Sequence, residues 1–367
     1  VEFKRIELIW RRICAPQATL WERFLTSPLL PVSWLYRGLG ALRRSGFRHG
    51  VFKSQKLPVP VISVGNLVLG GSGKTPIAMA IAEHLSARGR LPMIILRGYG
   101  KVVDNPQLVS DGMGGVLACS SHCGEEAVMT AQKVSGAVVV VGSRRWEAGR
   151  LGISVGADCA VLDDGFQHLS LKRDLDLVVV DSALPLPKVF PRGKAREGWR
   201  ALHMADCILL NSPPGGSDWE ERAEELSKKF PRIPVIPWRK QERYLRKCGG
   251  EERIALSAVE DACILLFSMV PGIADIAENL RSLKAKSVRT VPFPDHHRYL
   301  PEEVAFLLGK APSYDLLLTT EKDEVSLVER GYDVSKIKVL VARPQFLADR
   351  KKLWAMIDRI CAKGGEI

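Results

Sequence analysis

The chain has 367 residues, of which 46% are hydrophobic and 26% charged, and a formal net charge of +12. That length is too great for one small core, so the composition points to a globular protein of two domains. Eight cysteines without a C-x-x-C pair exclude a disulfide framework and fit reduced thiols in a reducing compartment.

The charge is concentrated at the start of the chain, where eleven Lys and Arg stand against three acidic residues within positions 1–60. Such a basic arm suits nucleic acid or an anionic membrane surface, each basic residue near a charged bilayer contributing about 1 kcal/mol. Periodicity favours the membrane. Taken as a helix, Pro31 to Arg44 places Trp34, Leu35, Gly38, Leu39 and Leu42 on one sector and Arg37, Arg43 and Arg44 on another, an interfacial pattern. A helix packed on its own domain would show the same spacing. Leu20, Trp21, Phe24, Leu25, Leu29 and Leu30 add apolar bulk, but no stretch reaches the roughly 18 apolar residues of a spanning helix. Acids and arginines within the first 25 positions argue against a signal peptide.

From Val59 to Pro76 the chain reads VPVISVGNLVLGGSGKTP, an apolar run that breaks into glycines and then Gly73-Lys74-Thr75. Gly70, Gly71 and Gly73 let bare backbone N–H groups approach phosphate oxygens, because no Cβ intervenes. Lys74 supplies a mobile charge for the outer phosphates, and the Thr75 hydroxyl can hold Mg²⁺ at the start of a helix. Pro76 fits the first helical turn, where a missing N–H has no partner to lose. The strict pattern asks for glycine five places before Gly73, and Val68 stands there instead.

Downstream, apolar runs at Pro92–Leu96, Ala137–Val141, Cys159–Leu162, Leu175–Val180 and Cys207–Asn211 alternate with helical stretches, which predicts a parallel sheet covered on both faces. Asp163-Asp164-Gly165-Phe166-Gln167-His168 follows the third of these runs. A carboxylate at the carboxyl end of a parallel strand faces the ligand crevice, which is where a magnesium-binding acid belongs. Cys119, His122 and Cys123 have ligand-like spacing, but without a second pair they do not read as a zinc site. Proline and charge across 233–261 predict a linker. A second alternation follows, with strands at Ile264–Phe267, Val288–Phe293, Leu316–Thr319 and Ile337–Val341. The expected organisation is therefore a basic helical segment over 1–56, a phosphate-loop domain over 57–232, the linker, and a smaller α/β lobe over 262–367, with a ligand cleft between the lobes.

In order along the chain, Gly65-Asn66, Gly70-Gly71-Ser72-Gly73-Lys74-Thr75-Pro76, Arg97-Gly98-Tyr99-Gly100, Asp163 to His168, Arg196-Glu197 and Thr320-Glu321-Lys322-Asp323 resemble the tetraacyldisaccharide 4'-kinases of lipid A assembly. Leu29 to Tyr36 is similar to that family's membrane-proximal segment, and the family's own loop also lacks the glycine that Val68 replaces. The resemblance implies an α/β fold of the P-loop NTPase type: a parallel sheet between helices, a second smaller α/β lobe and an N-terminal membrane-associating helical segment. It implies transfer of the ATP γ-phosphate, with Mg²⁺, to the 4'-hydroxyl of an acylated, singly phosphorylated glucosamine disaccharide. The enzyme would sit peripherally on the anionic cytoplasmic face of the bacterial inner membrane.

The same resemblance distributes roles. Glu125, in Gly124-Glu125-Glu126-Ala127, stands where the family carries an aspartate that activates the acceptor, so its carboxylate is one methylene farther out. His296, within Phe293 to His297, is its implied partner and would reach the first lobe on closure, while Lys74 and Asp163 complete the catalytic group. Nucleotide contacts fall to Asn66, Gly70, Gly71, Ser72, Gly73, Lys74 and Thr75, and from the second lobe to Glu321, Lys322 and Asp323, whose charges helix capping would explain equally well. Thr75 and Asp164 are implied metal ligands, and Arg97, Tyr99, Glu126, Arg145, Gln167, Arg196 and Glu197 implied acceptor contacts. Met269 to Ala274 departs from the family in lacking an aromatic pair. Two other functions fit parts of the chain: a phosphate-loop ATPase or GTPase switch docked by the basic arm, and a nucleic-acid-binding NTPase, which the interleaved Trp34 and leucines disfavour. Oligomeric state leaves no mark in the sequence.

Overall fold

Strands that are apolar on both faces need cover on both sides, and the computed structural model, which describes residues 27–69, 73–98, 105–182, 188–212 and 219–363, gives them that cover. In the first half the strands are β1 (Val61–Asn66), β2 (Pro92–Leu96), β3 (Gln107–Asp111), β4 (Val138–Val141), β5 (Cys159–Asp163), β6 (Leu175–Asp181) and β7 (Cys207–Asn211). Their order is β7-β6-β1-β5-β2-β4-β3, all parallel except the edge pair β3 and β4. β1 therefore sits between β5 and β6, and the phosphate loop leaves the sheet beside the strand that ends in Asp163.

The stretch expected as a linker contains β8 (Val235–Lys247), a 13-residue strand. Its Val235–Trp238 portion runs parallel to β7, and Trp238–Lys247 runs antiparallel to β13 (Ile337–Phe346). The strand signal was obscured because Arg239, Lys240, Arg243 and Lys247 occupy its more open positions while Ile236, Trp238 and Leu245 are buried. Short β9 (Arg253–Ile254) pairs with β8, and β10 (Cys263–Ser268), β11 (Ser287–Pro292) and β12 (Leu316–Thr320) complete the second half in the order β11-β10-β12-β13. Both halves thus share one sheet of 13 strands among the described residues.

The helices of nine residues or more are α1 (Leu30–Arg48), α2 (Lys74–Ser86), α3 (Glu125–Lys133), α4 (Arg145–Ser154), α5 (Trp219–Lys229), α6 (Ile273–Ser282), α7 (Pro301–Lys310), α8 (Glu321–Glu329) and α9 (Arg350–Lys363) among the described residues. The last of them returns to the first half. Leu353, Ile357 and Cys361 of α9 join Ile77, Ile81 and Leu85 of α2 in the core beneath β1, and His84 Nε2 meets Asp358 at 2.9 Å.

Helix α1 is inside out for a water-exposed helix. Arg44 is 7% exposed, whereas Trp34 and Leu42 are each 68% exposed, and Val32, Leu35 and Leu39 are bare on the outward side. At 100° per residue, Arg37, Ala41, Arg44 and Arg48 form the inward stripe, opposite Val32, Leu35, Leu39 and Leu42. Among the described residues, no helix is long and apolar enough to cross a membrane.

Candidate active site

Lys74 and Thr75 open α2 directly after Gly73, which takes a left-handed backbone at φ +79°. A Cβ on Gly73 would lie 2.5 Å from the Trp238 ring, so glycine is required both by conformation and by the ring packed against it. Gly65 has a second close approach, since a Cβ there would stand 2.3 Å from that of Phe166 and prise β1 from the loop carrying the aspartates. Of the expected phosphate contacts, Gly70, Gly71 and Ser72 lie outside the described residues, as does Tyr99.

Thr75 Oγ1 donates to Asp163 Oδ2 at 2.6 Å. Burial pushes the Asp163 carboxyl up to about 6, aided by Glu126 and opposed by the Thr75 hydroxyl and Lys74. Its other oxygen, Oδ1, is buried without a hydrogen-bond partner among the described residues. A buried carboxylate with one orphaned oxygen beside a threonine hydroxyl fits a magnesium ion, which typically takes one or two protein carboxylates and fills its sphere with water and phosphate. Asp164, expected as the metal ligand with Thr75, is directed elsewhere: Arg196 Nη1 donates to both its oxygens at 3.0 and 2.9 Å, and Lys74 Nζ lies 3.5 Å away. Burial opposes ionisation of Asp164, but Lys74 and Arg196 hold its carboxyl below the ordinary value. The turn at Asp164, φ +56°, separates the two side chains.

Arg97, Gly98, Glu125, Glu126, Asp163, Asp164 and His296 line one cleft. Glu125 begins α3, and His296 comes from the loop after β11 with a left-handed φ of +58°, a strained conformation for histidine. The two line the same cleft, and the His296 charge acts on the Glu125 carboxyl. Burial pushes the Glu125 carboxyl above its ordinary value, against the pull of Lys322 and His296, and its Oε2 is buried without a hydrogen-bond partner among the described residues. His297 turns away and meets Glu303 Oε2 at 2.7 Å.

Other expected contacts hold the scaffold. Arg145 is 3% exposed and donates to the carbonyls of Gly142 at 2.7 Å and Asp163 at 3.1 Å, so it braces the end of β5. Glu197 accepts two hydrogen bonds from Arg44, and Gln167 donates to the Asn66 carbonyl at 2.8 Å while accepting from Arg196 at 3.3 Å. Asp323 is fully buried and receives Ser268, Thr320 and Tyr299 hydroxyls and the Met269 N–H, which caps α8 and engages both carboxylate oxygens. Glu321 pairs with Lys133 at 2.8 Å and Arg343 at 3.1 Å, and Lys322 Nζ lies 2.7 Å from Asp295 and 3.8 Å from Glu126. These pairs fasten α8 to α3 and so hold His296 near Glu125. Nothing in the local sequence marks Lys133 or Arg343, and Trp238 carries only the signal of the apolar residues of β8.

Three comparisons bear on this site. The profile of a family described as tetraacyldisaccharide-1-P 4'-kinase matches residues 25–362. A tetraacyldisaccharide 4'-kinase of Anaeromyxobacter dehalogenans is 35% identical over 331 residues, covering 87% of this chain and 84% of that protein. One from Geobacter metallireducens is 34% identical over 350 residues, covering 92% and 99%. A crystal structure of Aquifex aeolicus LpxK, described as an "apo" form in complex with ATP, superposes with a TM-score of 0.73 at 28% identity and covers 92% of this chain and 99% of that one.

Proposed function

Because the chain belongs to the tetraacyldisaccharide 4'-kinase family, we propose that it transfers the γ-phosphate of ATP to the 4'-hydroxyl of tetraacyldisaccharide 1-phosphate in lipid A biosynthesis. The observation that carries the reading residue by residue is the shared cleft: Asp163, hydrogen-bonded to the phosphate-loop Thr75, lines the same space as Glu125 and His296. A hydroxyl acceptor calls for a base beside the phosphate site, and Glu125 stands in that cleft in addition to Asp163.

In this reading Glu125 takes the proton from the 4'-hydroxyl as that oxygen attacks the γ-phosphorus and the bond to the β-phosphate oxygen of ATP breaks, releasing ADP. A carboxyl raised by burial is the better base near neutral pH. His296 orients it, with its own position fixed by the Lys322–Asp295 pair. Lys74 neutralises the outer phosphates once they displace it from Asp164, and the N-terminus of α2 supplies N–H groups. Thr75 and Asp163 would hold Mg²⁺, which when bound spreads the charge of the transferring phosphate.

The outward apolar stripe of α1 is read as the membrane contact. Four acyl chains, at about 0.8 kcal/mol per buried methylene, keep the acceptor in the bilayer, so the enzyme must meet it there. The cytoplasmic leaflet of the inner membrane, where ATP is present, is the surface it would use, and the proposed division into a membrane-seated segment, a phosphate-loop domain and a second lobe follows from these roles.

The test is incubation with ATP, Mg²⁺ and detergent-dispersed tetraacyldisaccharide 1-phosphate, following a second phosphate on the lipid by mass spectrometry. Wild type should add it and Lys74→Ala should not. ATP turnover that ignores the acceptor would overturn the assignment.

A further inference from the structure

The loop that carries His296 runs from β11 to α7 and is held on either side of that residue. Ahead of it, Asp295 Oδ1 accepts from Lys322 Nζ at 2.7 Å and from the His296 N–H at 3.1 Å. Behind it, the Tyr299 hydroxyl donates to Asp323 Oδ1 at 2.7 Å. Lys322 and Asp323 are consecutive residues in the first turn of α8, so a single turn of helix grips the loop at both points. Glu321, just before them, pairs with Lys133 of α3, the helix that Glu125 opens.

The two grips differ in depth. Asp295 is exposed, whereas Tyr299 and Asp323 are fully buried. Asp323 also accepts from the Ser268 and Thr320 hydroxyls at 2.6 Å each and from the Met269 N–H at 2.9 Å, which gathers the ends of β10 and β12 onto the same carboxylate. Burial, with the Asp323 charge beside it, raises the Tyr299 phenol above its ordinary value, so it stays protonated as the donor. Its ring is boxed by Phe267 and Phe293, at 5.9 and 4.9 Å between centroids, and its carbonyl accepts from the Tyr332 hydroxyl at 2.8 Å. The His296 imidazole, by contrast, is 45% exposed on a left-handed backbone, a conformation that persists only where surrounding contacts over-determine it. Packing does not aim such a ring; the anchors of its backbone do.

We propose that Tyr299 is a positioning residue for the phosphoryl transfer, its buried hydrogen bond to Asp323 fixing the backbone that aims His296 at Glu125. This deepens the kinase reading above and rests on it, and it gives Asp323 a part in activating the acceptor.

The experiment uses Tyr299→Phe, which deletes one hydroxyl, keeps the ring and leaves Asp323 its bonds from Ser268, Met269 and Thr320, so the fold should persist in a thermal melt. With tetraacyldisaccharide 1-phosphate in detergent, kcat should fall about tenfold, the factor carried by one hydrogen bond to a charged group, while KM for ATP stays nearly constant. In a His296→Ala background the same substitution should leave kcat almost unchanged, because it acts through that histidine. The acid limb of kcat/KM should move to higher pH in Tyr299→Phe, since a displaced His296 lowers the Glu125 carboxyl less. Apart from turnover, NMR of histidine-labelled protein, with the His296 signal identified through His296→Ala, should show that signal shifted in Tyr299→Phe and the distant His84 signal in place.

An unchanged kcat overturns the proposal, as does an equal loss in the His296→Ala background. A rise in KM for ATP with kcat preserved would also overturn it and return this turn of α8 to the nucleotide. Wild type that adds no phosphate to the acceptor removes the kinase reading instead. The His296 signal then still decides whether Tyr299 sets the loop, and a signal unmoved by Tyr299→Phe would show that it does not.

Discussion

Arg44 holds Glu197 at two points, its Nε and Nη2 each donating at 2.6 Å to a different carboxylate oxygen, with the guanidinium 4.5 Å from the centre of the Phe166 ring. Glu197 follows Arg196, which in turn holds Asp164. A helix whose leucines face outward is thereby fastened to the phosphate side of the active site. Removing one member of a largely buried pair strands the other, at about 3 kcal/mol or more. Arg44→Ala should lower the thermal midpoint by several degrees, and Arg44→Lys should recover only part, because an ammonium cannot reproduce the fork. A melt unchanged by Arg44→Ala would show that the pair is dispensable.

Glu125 must be ionised to accept a proton. Its carboxyl is raised above the ordinary 4.5 by burial, so kcat/KM should fall as pH drops through a value higher than that, with full activity on the alkaline side. Glu125→Gln should lower kcat by about 10²- to 10⁴-fold and remove this acid limb. Retention of both rate and limb would move the base to another residue.

The Gly73→Ala variant faces two penalties. A left-handed backbone costs a residue with a Cβ about 1–2 kcal/mol, and the new carbon would meet the Trp238 ring at 2.5 Å. KM for ATP should rise more than KM for the acceptor. Adding Trp238→Leu should relieve the overlap and leave the backbone cost. If the double variant is no better than Gly73→Ala, the ring is not what constrains the loop.

On the outward stripe, Leu35→Glu/Leu39→Glu should reduce sedimentation with anionic vesicles by roughly tenfold or more, since burying each leucine is worth about 1.5–3 kcal/mol. Turnover of detergent-dispersed acceptor should persist. Undiminished vesicle binding would place the membrane contact elsewhere on the chain.

Cys119 is exposed, and its Sγ lies 2.8 Å from His122 Nδ1 and 3.0 Å from Ser121 Oγ. Hydrogen bonds from Ser121 and His122 bring its thiol down to about 7, whereas burial pushes Cys123 up to about 12. Iodoacetamide should therefore label Cys119 ahead of the other described cysteines, with a rate that climbs through a midpoint near that lower value as the thiolate forms. His122→Ala should shift the midpoint to higher pH. Mass spectrometry of the digested protein reads both, and slow labelling of Cys119 at neutral pH would contradict the pairing.

Much of this protein is legible from local text. Pro92–Leu96 and Cys207–Asn211 are strands at the predicted bounds because an unbroken apolar run between turns has one place to go, and Lys74-Thr75 opens a helix because Gly73 permits the turn into it. The order of motifs was enough to bring out the family. Contacts between distant segments were not legible, because a residue's partner depends on which strands become neighbours. β8 read as a linker since its charges outnumber its buried residues; only its pairing with β7 and β13 turns Trp238 toward Gly73. Asp323 and Glu197 read as ligand contacts, yet the fold supplies them with hydroxyl, N–H and guanidinium partners from segments far along the chain. Local chemistry determined which groups could bind phosphate, and the sheet topology decided which carboxylates were left open to a metal or an acceptor hydroxyl.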